Sequence, residues 1–225
     1  MRLNINFNIA VVALTIIVSN SMCAQTSKQL KTYLALGDSY TIGESVPETE
    51  RWPVQLAKAL TEKGIPVASP KIIAVTGWRT DNLKNGIDIA QIKERYDLVS
   101  LLIGVNNQYQ GKPADAYAVE YETLLKTAIQ LAGGEKANVF VVSIPDYGYT
   151  PFGAPNQPKI SKELDEFNAI NKRITEAYEI TYINITDISR RGLEDPELVA
   201  DDTLHPSGKQ YTLWVERILE NLRLE

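Results

Sequence analysis

Five short apolar runs, each set beside a stretch of helical spacing, limit what this chain can fold into. Tyr33 to Leu36 stops at Gly37, Ile72 to Val75 closes at Thr76-Gly77-Trp78, and Leu98 to Ile103 closes at Gly104. Val139 to Ile144 ends at Pro145, and Tyr182 to Ile185 is the fifth run. The helical stretches are Trp52 to Lys63, Leu83 to Ile92, Ala114 to Leu131, Ser161 to Tyr178, and a last one opened by Pro206 and running to about Leu222. Strand and helix alternating five times predict a parallel sheet with helices on both faces. Leu98 to Ile103 is apolar except for Ser100, as a strand covered on both faces should be. The segment from Pro145 to Pro158 reads as a loop long enough to suspect a function.

In such sheets chemistry collects beyond the carboxyl ends of the strands. The first strand ends abruptly in Gly37-Asp38-Ser39. Ser39 therefore sits at the lip of the sheet, in the first turn of a helix, where free N–H groups face any developing negative charge. Alone, Gly-Asp-Ser is an ordinary capping turn. The other strand ends add to it.

Composition narrows the chemistry. The 225 residues include one histidine, His205, and one cysteine, Cys23. One cysteine allows no internal disulfide, and one histidine excludes paired-histidine zinc motifs. No metal and no cofactor are expected. A net charge of -5 argues against nucleic acid as a partner. There is no Gly-x-Gly-x-x-Gly, no P-loop and no Gly-x-Ser-x-Gly elbow.

The start of the chain reads as an export signal. Arg2 supplies the positive charge, Ile9 to Val18 the apolar run, and Ser19 to Ala24 a mostly small and polar end. The run is too short to span a membrane. Residues 1–24 are thus expected to be a signal peptide and 25–225 a single domain, placing the mature protein in the periplasm or outside the cell. A cut before Cys23 would make a lipid-anchored protein, but Asn20-Ser21-Met22 fits a lipoprotein signal poorly.

A hydrolytic serine needs a base, an orienter for that base, and donors for the oxyanion. His205 offers the chain's one imidazole, and Asp202, three residues earlier in a tight loop, can reach its Nδ1 atom. Gly77 follows the second strand and lets its backbone N–H come close to a substrate. Asn106 follows the third, and its side-chain amide can donate.

This order and spacing resemble the SGNH, or GDSL-type, hydrolase family. Gly37-Asp38-Ser39-Tyr40 matches the first block with Tyr40 in place of leucine, and Gly77 stands for the second. Gly104-Val105-Asn106-Asn107 matches Gly-x-Asn-Asp with Asn107 in place of aspartate, and Asp202-Thr203-Leu204-His205 matches Asp-x-x-His. The resemblance implies a flavodoxin-like three-layer α/β/α sandwich with strand order 2-1-3-4-5. It implies Ser39 as nucleophile, His205 as general base and Asp202 as its orienter. It also implies an oxyanion hole from the Ser39 and Gly77 N–H groups and the Asn106 amide.

Trp78, Arg79, Gln108, Tyr109, Tyr147, Tyr149 and Phe152 follow strand ends or lie in the long loop, and are candidates for contacting substrate. Arg79 can hold an anionic group or pair with Asp81. The expected activity is hydrolysis of carboxylic esters, with small acyl groups such as acetyl esters on carbohydrate as substrate. A lysophospholipase or thioesterase with a longer acyl pocket is the enzymatic alternative. A ligand-binding module on the same fold is the third.

Overall fold

The computed structural model describes Met1 and residues 29–222. The expected signal peptide and Cys23 lie outside the described residues. Five parallel strands form one sheet: β1 (Tyr33–Gly37), β2 (Lys71–Ala74), β3 (Leu98–Leu102), β4 (Val139–Val142) and β5 (Thr181–Ile183), in the order β2-β1-β3-β4-β5. The helices are α1 (Ser39–Ile42), α2 (Trp52–Glu62), α3 (Thr80–Ala90), α4 (Val105–Tyr109), α5 (Ala114–Leu131), α6 (Gln157–Ala177), α7 (Thr186–Ser189) and α8 (Gly208–Asn221). Helix α2 packs against α8, while α3, α5 and α6 pack in sequence, giving the two outer layers of the sandwich.

Every residue of β1, β3 and β4 is buried, which accounts for their apolar character, and the one polar side chain among them, Ser100, is paired inside the core. Trp52, Trp214, Tyr33, Tyr117, Tyr121, Tyr211 and Phe140 are the largest fully buried side chains. Three of the buried phenols find partners: Tyr33 with Ser100 at 2.9 Å, Tyr121 with Thr175 at 2.6 Å, and Tyr117 donating to the Ile103 carbonyl at 3.0 Å. A buried hydroxyl left unpaired would cost about 1 to 3 kcal/mol.

The register positions the site. Gly37 pairs with Ala74 on one side and with Leu102 on the other. The first three strands therefore finish level, and the segments after them emerge side by side. Helix α3 begins at Thr80, three residues before the first apolar position of its pattern. Its opening turn is polar and is fixed instead by the Asn82 side chain, which accepts from the Arg79 N–H at 3.2 Å. Helix α8 is capped by Ser207, whose hydroxyl accepts from Gln210 N–H, and Pro206 instead lies in a bridge opposite Val199. The segment from Pro145 contains two single 3₁₀ turns, Tyr147–Tyr149 and Ala154–Asn156, before α6 starts at Gln157. Strand β5 stops at Ile183 because the next residues turn toward Ser143, whose hydroxyl accepts from Ile185 N–H at 2.8 Å.

Candidate active site

Helix α1 is one turn long and Ser39 is its first residue. Asp38 is the N-cap, accepting from Tyr40 N–H at 3.1 Å, and Gly43 closes the turn with φ of +72°. The bend out of β1 is tight. A Cβ on Gly37 would lie 2.1 Å from Thr41 Oγ1 and 2.5 Å from the Leu102 carbonyl oxygen. Asp38 is fully buried, and that burial pushes its carboxyl up to about 7 against the pull of backbone N–H groups at Tyr40 and Gly104.

Gly77 holds φ of +84° in the turn after β2, a conformation that favours glycine. Gly104 holds φ of +134° at the start of α4, with Asn106 in the first turn of that helix. Asn106 Nδ2 donates to the Trp78 carbonyl at 3.0 Å, and a primary amide keeps a second N–H for another acceptor. Asn107, where the family pattern has aspartate, is buried and makes two bonds to Thr80. It accepts from the backbone N–H at 3.1 Å and donates to the hydroxyl at 2.7 Å. The Thr80 hydroxyl donates onward to Glu120. The amide thus still fastens α4 to the turn that carries Gly77.

Between β5 and α8, Asp202 Oδ1 accepts from Leu204 N–H and His205 N–H, both at 2.9 Å. Its Oδ2 lies 2.6 Å from His205 Nδ1 and accepts from the Ser45 hydroxyl at 2.6 Å. Burial raises the Asp202 pKa, but Ser45, the two N–H groups and the ring together hold it well below the usual carboxylate range. With Nδ1–H given to Asp202, the Nε2 atom of His205 is left as the acceptor. The loop is pinned from outside by Phe152 N–H, which donates to the Thr203 carbonyl at 3.1 Å.

Ser39, Gly77, Asn106 and His205 all line one cavity of about 300 Å³. Tyr40, Thr76, Val105, Tyr109, Tyr147, Phe152 and Leu204 complete it. Tyr109, Tyr147 and Phe152 form a wall of three rings with centroids 6.1 to 6.4 Å apart. Tyr147 donates to Gln108 at 3.0 Å, and Gln108 donates to Glu163 at 2.7 Å, so Gln108 lies behind the wall and holds it. The remaining candidates are placed elsewhere. The Trp78 ring lies against Gly86 of α3. Arg79 is spent on Asp81 at 2.7 Å and Gln110 at 2.5 Å, and Tyr149 sits 6.0 Å beneath the Arg190 guanidinium.

Three contributors escape a reading by motif: Tyr40, whose ring meets the His205 ring edge-on at 5.7 Å, Leu204, and Ser45. Tyr40 and Leu204 are legible only as the variable positions beside Ser39 and His205. Ser45 carries no signal of its own.

A family model described as GDSL-like lipase/acylhydrolase matches residues 35–213. An arylesterase from Vibrio mimicus is 26% identical over 222 residues, covering 95% of this chain and 98% of that protein. Among solved structures, the acetylxylan esterase Axe2 from Geobacillus stearothermophilus superposes with a TM-score of 0.67 at 18% identity, covering 87% of this chain and 95% of that one. The psychrotrophic esterase EstA from Pseudoalteromonas sp. gives 0.64 at 19% identity, with 85% and 96% covered. The match over most of the chain, together with the fold, places it: the protein belongs to the GDSL-like lipase/acylhydrolase family and is a carboxylic ester hydrolase.

Proposed function

We propose that this protein is an exported serine esterase that removes small acyl groups, acetyl in particular, from carbohydrate esters. The observation that carries the reading is the pairing of His205 Nδ1 with Asp202 at 2.6 Å while His205 and Ser39 line the same cavity. His205 Nε2 takes the proton of Ser39 as Oγ attacks the ester carbonyl carbon. The carbonyl oxygen gains the negative charge and is met by the Ser39 and Gly77 N–H groups and the free N–H of Asn106. Collapse breaks the bond to the alcohol oxygen, which leaves with the proton from Nε2. A water then repeats the sequence on the acyl-serine and releases the acid.

The size and lining of the cavity support a short acyl group. About 300 Å³ is at the small end for a ligand site, and Tyr109, Tyr147 and Phe152 give it an aromatic wall on which a sugar or aryl group can lie. Hydrolysis of acetyl and aryl esters by relatives of the same fold agrees with this. Export rests on Arg2 and the run from Ile9 to Val18. N-terminal sequencing of the mature protein tests that part.

The central experiment has two arms. A fluorophosphonate probe should label Ser39, located by mass spectrometry of the digest. Aryl esters of graded acyl length, together with acetylated xylose and glucose, should show kcat/KM highest at acetyl. Absence of labelling removes the serine mechanism, and a rate that climbs toward long acyl chains turns the reading toward a lysophospholipase or thioesterase.

A further inference from the structure

The dipeptide that follows the nucleophile turn reaches two other loops of the cavity. Ser45 donates to Asp202 Oδ2 at 2.6 Å, a hydrogen bond spanning 157 positions. Glu44, beside it, accepts from the hydroxyl of Thr76, the neighbour of Gly77. Their backbone is tied to the nucleophile itself, since Gly43 N–H and Glu44 N–H both donate to the Ser39 carbonyl at 3.0 Å. Three segments that carry Ser39, Gly77 and His205 thus meet on two residues.

Ser45 also holds φ of +65°, in the left-handed region that side-chain-bearing residues seldom adopt. Such a conformation persists where the surroundings over-determine it, and it is found preferentially at functional sites. Ser45 is largely exposed, so core packing does not hold it there. The bonds that bracket it are Glu44 N–H to the Ser39 carbonyl, Val46 N–H to the Gly43 carbonyl, and its own hydroxyl to Asp202.

We propose that Ser45 is a positioning residue for ester hydrolysis, acting through Asp202 and touching no substrate. The proposal rests on the assignment of Asp202 and His205 as orienter and base. Asp202 Oδ1 is occupied by the N–H groups of its own turn. Among the described residues, Ser45 and His205 are the partners of Oδ2. The Ser45 hydroxyl fastens that oxygen to the segment bearing Ser39 and shares its charge with the imidazole. The other ionisable groups around this region include Asp38 and Tyr40 of the nucleophile turn, Glu44, Arg51 ahead of α2, Asp146 and Tyr147 after β4, and Tyr211 of α8.

Without the hydroxyl, the full charge of Oδ2 falls on the ring. The imidazolium form is then favoured, and the acid limb of kcat/KM moves to higher pH. Asp202 keeps the N–H groups on Oδ1 but loses its tie to the segment bearing Ser39, and kcat falls.

The test compares Ser45→Ala with Ser45→Gly, using p-nitrophenyl acetate across pH and a thermal melt of each variant. Glycine removes the hydroxyl but tolerates φ of +65°, so the two variants separate chemistry from backbone strain. Both are expected to lose about tenfold in kcat, the scale of one hydrogen bond to a charged group, with KM within about twofold and the acid limb raised. Wild-type kcat and an unmoved limb in Ser45→Gly overturn the proposal, whatever Ser45→Ala does. Full activity in an Asp202→Asn control overturns the triad assignment itself, and with it the role given to Ser45.

Discussion

The Asn106 side-chain amide donates to the Trp78 carbonyl at 3.0 Å, so the turn that presents Gly77 and the helix that presents Asn106 are joined directly. The bond fixes the amide plane and leaves its second N–H directed by geometry rather than by search. Asn106→Ala is expected to lower kcat by about 10² to 10³ while changing KM little, because an oxyanion donor acts when charge develops. If kcat holds while the melting temperature drops, Asn106 is a structural clasp only.

Ser39→Ala should leave a folded protein with kcat reduced by roughly 10⁴ to 10⁶. Circular dichroism beside the kinetics distinguishes this from unfolding, and near-full activity in the pure variant would remove Ser39 as nucleophile.

A triad base works only when neutral, so activity should fall on the acid side as His205 gains its proton. Asp202→Asn removes the charge that stabilises imidazolium, and the acid limb of kcat/KM should move to lower pH as the rate falls. A limb that stays in place would show that His205 and Asp202 do not act together.

Two carboxyls give stability a pH signature of opposite sign. Burial raises Asp38 to about 7 in the folded protein. From about pH 4, where an unfolded aspartate ionises, up to that value, the folded state binds more protons than the unfolded one. Stability tied to Asp38 is therefore full below that window and lost as pH rises through it. Asp202 is held low, so its contribution is present above about pH 4 and is lost as pH falls below. Melting curves from pH 3 to 8 should show the wild type losing ground to Asp38→Asn between pH 4 and 7, and to Asp202→Asn only below about pH 4. Parallel curves for wild type and Asp38→Asn would mean that its carboxyl is not perturbed.

Gly104→Ala should be among the costlier single changes. The added Cβ would lie 2.6 Å from Tyr117 Oη and 2.7 Å from Ile144 Cδ1, at φ of +134°. A loss of about 2 to 3 kcal/mol in urea unfolding is expected, with kcat falling as α4 shifts. Wild-type stability would mean that the turn relaxes freely.

Much of this was written locally in the chain. The apolar runs in β1, β3 and β4 announce themselves because both faces of those strands are covered. Asp202 and His205 are close in sequence, so a tight loop suffices to pair them. The first turn of α3 was hidden because its residues are polar and its cap is a side chain three positions on. The cleft wall was half legible. Tyr109, Tyr147 and Phe152 face the cavity, while Trp78 and Tyr149, equally aromatic and equally near strand ends, turn to Gly86 and Arg190. Composition does not encode which way a loop side chain points. Ser45 was invisible for a different reason: its partner is 157 positions away, and only the folded register brings them together.

That separation also sets a clock on the enzyme. On the proposed mechanism the nucleophile Ser39 is made early in the chain and its base His205 very late, so an N-terminal stretch that lacks β5 and the loop after it is expected to hydrolyse no ester. In the finished fold β5 pairs with β4 and α8 lies against α2, so on the same mechanism turnover is expected only once both have docked. The onset of activity in a refolding reaction is therefore expected to report completion of the whole sheet.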